Sequence, residues 1–206
     1  MVTLSRLLAA AENFFLYAVI GLLFPLVLLL AGWWGSLLFA GEAHIIYCAL
    51  GGLLAGIALD ILFIQRWVQL ARGAALVWPV CIYLFYSVCA FGFFMGMPLM
   101  NTVLGPIGGY YMSMRLRHQQ ADAKAIQRCA HAAGVFSALV LAVFCAVALA
   151  LAYHDAYLSG NIQGMLNLSR PIAKNQILIL SAATGTVLVL IEYFLTRAVV
   201  RFASSA

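Results

Sequence analysis

Between Ala74 and Met114 the chain runs for 41 residues without a charged side chain. One helix of that length, rising about 1.5 Å per residue, would be about twice as long as the roughly 30 Å hydrocarbon layer of a membrane is thick. The stretch must fold back on itself, and Gly96-Met97-Pro98 is where it can. Proline lacks an amide hydrogen, drives the residue before it out of helical geometry, and suits the first position of a new helix. One apolar helix is expected to end at this turn and the next to begin there.

The same apolar character extends along the chain. Of its 206 residues 66% are hydrophobic and 8% charged, against about a quarter charged in an average soluble domain. A crossing helix needs about 20 apolar residues. Setting the apolar runs against their polar interruptions predicts an all-α, polytopic integral membrane protein. Its single transmembrane domain, 1–206, would hold six transmembrane helices at about 13–35, 43–64, 74–96, 98–115, 129–153 and 176–199. The run from Phe14 to Ala31 is longer than a signal-peptide core, and Glu12 interrupts the approach to it, so it reads as an uncleaved first span.

Charge sorting supports that count. With six spans, Arg6, Arg66, Arg72, Arg115, Arg117, Lys124, Arg128, Arg197 and Arg201 fall on one side, and only Arg170 and Lys174 on the other. The positive-inside rule then places both termini in the cytoplasm of a multi-pass cell (inner) membrane protein. Trp33 and Trp34 fall at an outer span end, and Trp67 and Trp78 near inner ends, where amphipathic rings anchor at the interface. The partners implied are the lipid bilayer and other membrane proteins or further copies of the chain. No nucleic acid is expected, because the basic residues lie between apolar runs and form no polar face.

Small residues spaced four apart let membrane helices approach closely. Span two carries Cys48, Gly52, Gly56 and Asp60 on one ridge, and span four Asn101, Gly105, Gly109 and Ser113. Span five has Gly134, Ala138, Ala142, Ala146 and Ala150, while Ser181, Gly185, Leu188 and Glu192 share a face of span six. Gly52, Gly56, Gly105, Gly109, Gly134 and Gly185 are therefore the expected helix-packing positions. Spans one and three, dominated by large side chains, are expected to face lipid, with Pro25 and Pro106 as kinks. The polar segment from Tyr153 to Gln176 is expected to hold a short surface helix at about Ile162 to Leu168, capped by Asn161. The Asn-Leu-Ser triplet at Asn167 carries no weight.

Asp60 and Glu192 are the only acids inside apolar runs. A charge in hydrocarbon costs several kcal/mol, which makes such residues functional candidates by default. Asp60 lies about a turn from its span's end, where an arginine could pair with it. Glu192 lies about 10 Å inside by helix rise and suits a protonatable or cation-coupled carboxylate. Asn101 and Ser181 complete the candidate ligand- or ion-binding set.

Enzyme chemistry finds no foothold: HExxH, Walker A and GxSG motifs are absent. "GPIGGYY" lies within an apolar run with no lysine after it, so its glycines read as helix packing. The five cysteines form no CxxC pair, and neither a metal site nor a cofactor is expected. The leading expectation is a small-solute transporter, channel or substrate-binding membrane component, with a site between spans two, four, five and six. An accessory or assembly subunit of a larger membrane complex is the alternative. A haem-bearing electron-transfer subunit ranks below both, because His44, His118, His131 and His154 all lie at span boundaries.

Overall fold

The computed structural model describes residues 2–39, 41–94, 96–166, 170 and 172–205. Every regular element among them is helical. The chain divides into two compact units, 1–78 and 79–206.

The first unit contains α1 (Val2–Gly21), α2 (Leu23–Phe39), a 3-10 turn at Glu42–His44 and α3 (Ile45–Gly73). The expected first span is two helices meeting at Leu22. Pro25 cannot donate to the carbonyl of Gly21, and the helix breaks at that point, as the proline kink anticipated. Antiparallel α2 and α3 are in intimate contact. A Cβ on Gly32 would run into the Cys48 backbone, one on Gly52 into the Leu28 carbonyl, and one on Gly56 into the Pro25 backbone. The ridge of span two is thus filled by span one, which corrects the expectation that span one faces only lipid. Phe24 stacks on Trp67 at 3.7 Å between ring centroids, and Arg72 hydrogen-bonds Asn13, tying the end of α3 to α1. α3 runs on to Gly73, past the expected end at about 64.

The second unit contains α4 (Val77–Phe93), whose first two residues precede the division, then a 3-10 segment at Pro98–Val103 and α5 (Leu104–His118). After these come α6 (Ala123–His154), α7 (Leu158–Leu166) and α8 (Lys174–Ser204). The expected turn is present: Gly96 takes φ 79° and its amide donates to the Phe91 carbonyl at 2.8 Å. Met97 is extended, and Pro98 opens the next helical segment. Pro106 does not kink a helix interior as expected. It is the third residue of α5, within the first turn, where a missing amide breaks no intrahelical bond. Asp122 caps α6, accepting from the Ala125 amide at 2.8 Å.

α5, α6 and α8 form the core of this unit, and Leu116, Ala130 and Val200 pack together at one end of it. That contact gathers the basic ends of the three helices. At the other end Lys174 Nζ donates to the Asp155 carbonyl at 2.9 Å, joining the end of α6 to the start of α8. The surface helix begins at Leu158, so Asn161 lies inside it and does not cap it. Aspartate 155 starts the turn there, accepting from the Tyr157 amide at 2.8 Å. Met95, Asn167 and Leu168 lie outside the described residues.

Among the described residues, four stretches are long and apolar enough to cross a membrane: Ala9–Phe39, Glu42–Gly73, Ala123–His154 and Lys174–Ser204. Val77–Phe93 is a shorter apolar helix. Large apolar side chains such as Phe14, Ile61, Trp78, Leu139 and Phe202 stand exposed along these elements. Such a surface suits contact with lipid tails, which are as apolar as leucine.

Candidate functional site

Glu192 is fully enclosed within the second unit, with 0% of its surface exposed. It lies 12 residues before the end of α8 and 18 after its start, or about 18 and 27 Å by helix rise. This is deeper than expected from the sequence, because α8 continues to Ser204.

Its room is made by glycine. A Cβ on Gly105 would overlap Glu192 Oε1 and Thr196 Oγ1. One on Gly109 would sit 3.0 Å from the Thr196 carbonyl, and one on Gly134 3.0 Å from the Tyr193 carbonyl. The turn of α8 from Glu192 to Thr196 therefore lies between α5 and α6 at a distance only glycine allows. Gly108, the neighbour of Gly109, receives the Tyr83 ring, which would approach a Cβ to 3.3 Å. Adjacent glycines of "GPIGGYY" thus serve two different helices, one reason for the pair.

Tyr83 OH donates to Glu192 Oε1 at 3.4 Å, and the Gly105 backbone also hydrogen-bonds the carboxylate. Neither partner carries a positive charge. Oε2 is buried with no hydrogen-bond partner among the described residues. One turn along, Ser137 Oγ of α6 donates to the Gly134 carbonyl at 3.2 Å and shares a hydrogen bond with Thr196 Oγ1 at 3.0 Å, both hydroxyls being buried. A carboxylate and three hydroxyls from α4, α6 and α8 are thus gathered beside the start of α5. Such groups can pass a proton along, or offer oxygen ligands to a small cation.

Asn101 is also buried, and its Nδ2 donates to the Ser87 carbonyl at 3.0 Å. It fastens the 3-10 segment to α4, while its Oδ1 has no hydrogen-bond partner among the described residues. Ser181 is exposed and is not brought to Glu192; of that expected face, Gly185 lies against Cys145. The alanine stripe of α6 drifts outward, with Ala146 and Ala150 exposed, and the buried line runs through Ala130, Gly134, Ser137 and Leu141. His131 shares a hydrogen bond with Tyr193 OH at 3.0 Å.

Asp60 belongs to the first unit and is 7% exposed. Gly56 meets Pro25 and Ile64 meets Gly21, so Asp60, one turn from each, faces the α1–α2 break. No arginine partner is engaged among the described residues, where neither carboxylate oxygen has a hydrogen-bond partner.

Tyr83, Ser137 and Thr196 were not singled out from the sequence. Thr196 could have been, since it stands four residues after Glu192 on the same face. Ser137 stands three after Gly134, which is also a same-face spacing. Tyr83 had no local signal: it lies in a span expected to face lipid, and only packing turns it inward. No family model, curated protein or solved structure matches the chain.

Proposed function

We propose that the chain is a six-span protein of the cell (inner) membrane, with both termini cytoplasmic, that carries or binds a small solute together with a proton or cation at Glu192. Two further crossings supplement the four long ones. α4, with 17 residues, reaches the lower limit for a span. The six residues from Pro98 to Val103 and the 15 of α5 together rise about 34 Å, at about 2.0 Å per 3-10 and 1.5 Å per α residue. The basic ends of α5, α6 and α8 lie together, consistent with one cytoplasmic face.

The observation that carries the reading is a fully buried carboxylate whose partners are a tyrosine and a backbone amide. An unpaired ionised carboxylate inside hydrocarbon costs several kcal/mol, so a proton or cation from solution must accompany it. The surrounding hydroxyls offer ways in and out for either. The accessory-subunit alternative has less support, since it used the glycine ridges as docking faces. Those ridges are filled by the chain's own helices at Gly52, Gly56, Gly105, Gly109 and Gly134.

The test is ion flux into proteoliposomes under a potassium diffusion potential, read by an enclosed pH dye and by labelled sodium. Wild-type protein is expected to admit one of the two ions faster than empty vesicles, and Glu192→Gln, which keeps shape but cannot ionise, to lose most of that flux. Equal flux through folded wild-type and variant proteins overturns the reading.

A further inference from the structure

The buried acid of the first unit stands in a different environment from Glu192. Asp60 lies 15 residues after the start of α3 and 13 before its end, about 22 and 20 Å by helix rise. Its short side chain must therefore satisfy both carboxylate oxygens near the middle of the helix. Glu192 Oε1 accepts from Tyr83 and from the Gly105 backbone. Asp60 is 7% exposed, and neither of its oxygens has a hydrogen-bond partner among the described residues. The basic side chains of the first unit are engaged or placed elsewhere. Arg72 is bonded to Asn13, and His44 lies 16 residues back, before the start of α3. Arg66, six residues on, leaves α3 from another face and is exposed, as is Arg6 near the start of α1.

A backbone carbonyl opposite Asp60 is in the same condition. Pro25 has no amide hydrogen to give Gly21, and the next amide, that of Leu26, donates to Leu22 at 3.2 Å instead. A helical carbonyl points along the axis toward the residue four ahead, so that of Gly21 points toward Pro25. A Cβ on Gly21 would lie 3.0 Å from Ile64 Cδ1, and one on Gly56 2.6 Å from the Pro25 nitrogen. Asp60 is midway between Gly56 and Ile64 on that ridge of α3. The carboxylate and the freed carbonyl thus stand at one level, contributed by neighbouring helices.

Three oxygens without a donor among them suit a cation. Oxygen ligands select a hard one, and a single carboxylate balances a single positive charge. Carbonyls released where a membrane helix is broken are suited to coordinating sodium. A proton would occupy only one of the three oxygens. We propose that Asp60 and the Gly21 carbonyl bind one sodium ion at the α1–α2 break, with water completing its shell. The site lies wholly within residues 1–78 and is independent of any chemistry at Glu192.

The test uses full-length protein carrying Glu192→Gln, so that sodium held at that residue makes no contribution. It is melted in detergent in rising sodium chloride, with choline chloride keeping the ionic strength constant. A ligand that binds only the native state raises its stability by mass action, so the melting temperature should climb with sodium and saturate. Adding Asp60→Asn should abolish the climb. Pro25→Ala, which supplies the missing amide and leaves the carboxylate in place, should raise the sodium midpoint about tenfold. Indifference to sodium overturns the proposal, including the case in which acid alone stabilises the protein and the occupant is a proton. So does a sodium response that Asp60→Asn leaves intact. Should either acid variant fail to fold, Pro25→Ala in the otherwise wild-type chain decides: a sodium midpoint equal to that of wild type overturns the assignment. Because ion flux is no part of the readout, a failure of the Glu192 reading leaves the result interpretable.

Discussion

Gly105 is the residue on which the Glu192 site most depends, although it contributes no functional group of its own beyond the backbone. The carboxylate occupies the volume a side chain would need at that position. Gly105→Ala is therefore expected to destabilise the folded protein by about 1–3 kcal/mol, the usual range for overpacking, and to displace the carboxylate from Tyr83. Thermal unfolding in detergent reads the first effect. The flux assay reads the second, and unchanged values in both would show that the site yields more easily than its packing implies. The site was only partly legible at this scale. Glu192 stands out because an acid in an apolar run is rare. Ser137 and Tyr83 do not, because their chemistry is common in membrane helices and only their neighbours give it meaning.

Helix contacts explain why some glycines are indispensable and others are not. On α3, Gly52 and Gly56 face the backbone of α2 so closely that a methyl group would collide with main-chain atoms, which cannot rotate away. Gly51, next in the chain to Gly52, is exposed with open space beyond it. Gly52→Ala and Gly56→Ala are accordingly expected to cost about 1–3 kcal/mol each, while Gly51→Ala is neutral or better, alanine being the stronger helix former. Melting temperatures of the three variants decide the matter; three equal values would mean that the seam is looser than described. The four-residue ridge of α3 was readable in the sequence, but its partner was not. A ridge of small residues states that some helix comes close without stating which.

For the whole chain, the arrangement of charge yields a topology that can be measured. In a cysteine-free background, a membrane-impermeant maleimide should label Ala156→Cys in intact cells. It should label Gln119→Cys only after lysis, since the α5–α6 turn is flanked by Arg115, Arg117, Lys124 and Arg128 and the α6–α7 turn lies at the other end of α6. Labelling of both from the same side would overturn the six-span arrangement. The two buried acids among the described residues lie in different compact units, Asp60 in 1–78 and Glu192 in 79–206.

Helices and the turn at Gly96–Pro98 were determined by the sequence alone, because they depend on local chemistry. Long apolar runs have to satisfy their own backbone within a membrane, and proline removes a donor wherever it stands. Partners were decided only by the tertiary structure. That α2 fills the ridge of α3, that Tyr83 turns inward to Glu192, that Ser181 stays outside, and that Thr196 meets Ser137 all depend on which faces meet. In lipid, where one apolar face is as comfortable as another, that choice rests on close fit and on a few hydrogen bonds between residues far apart in the chain.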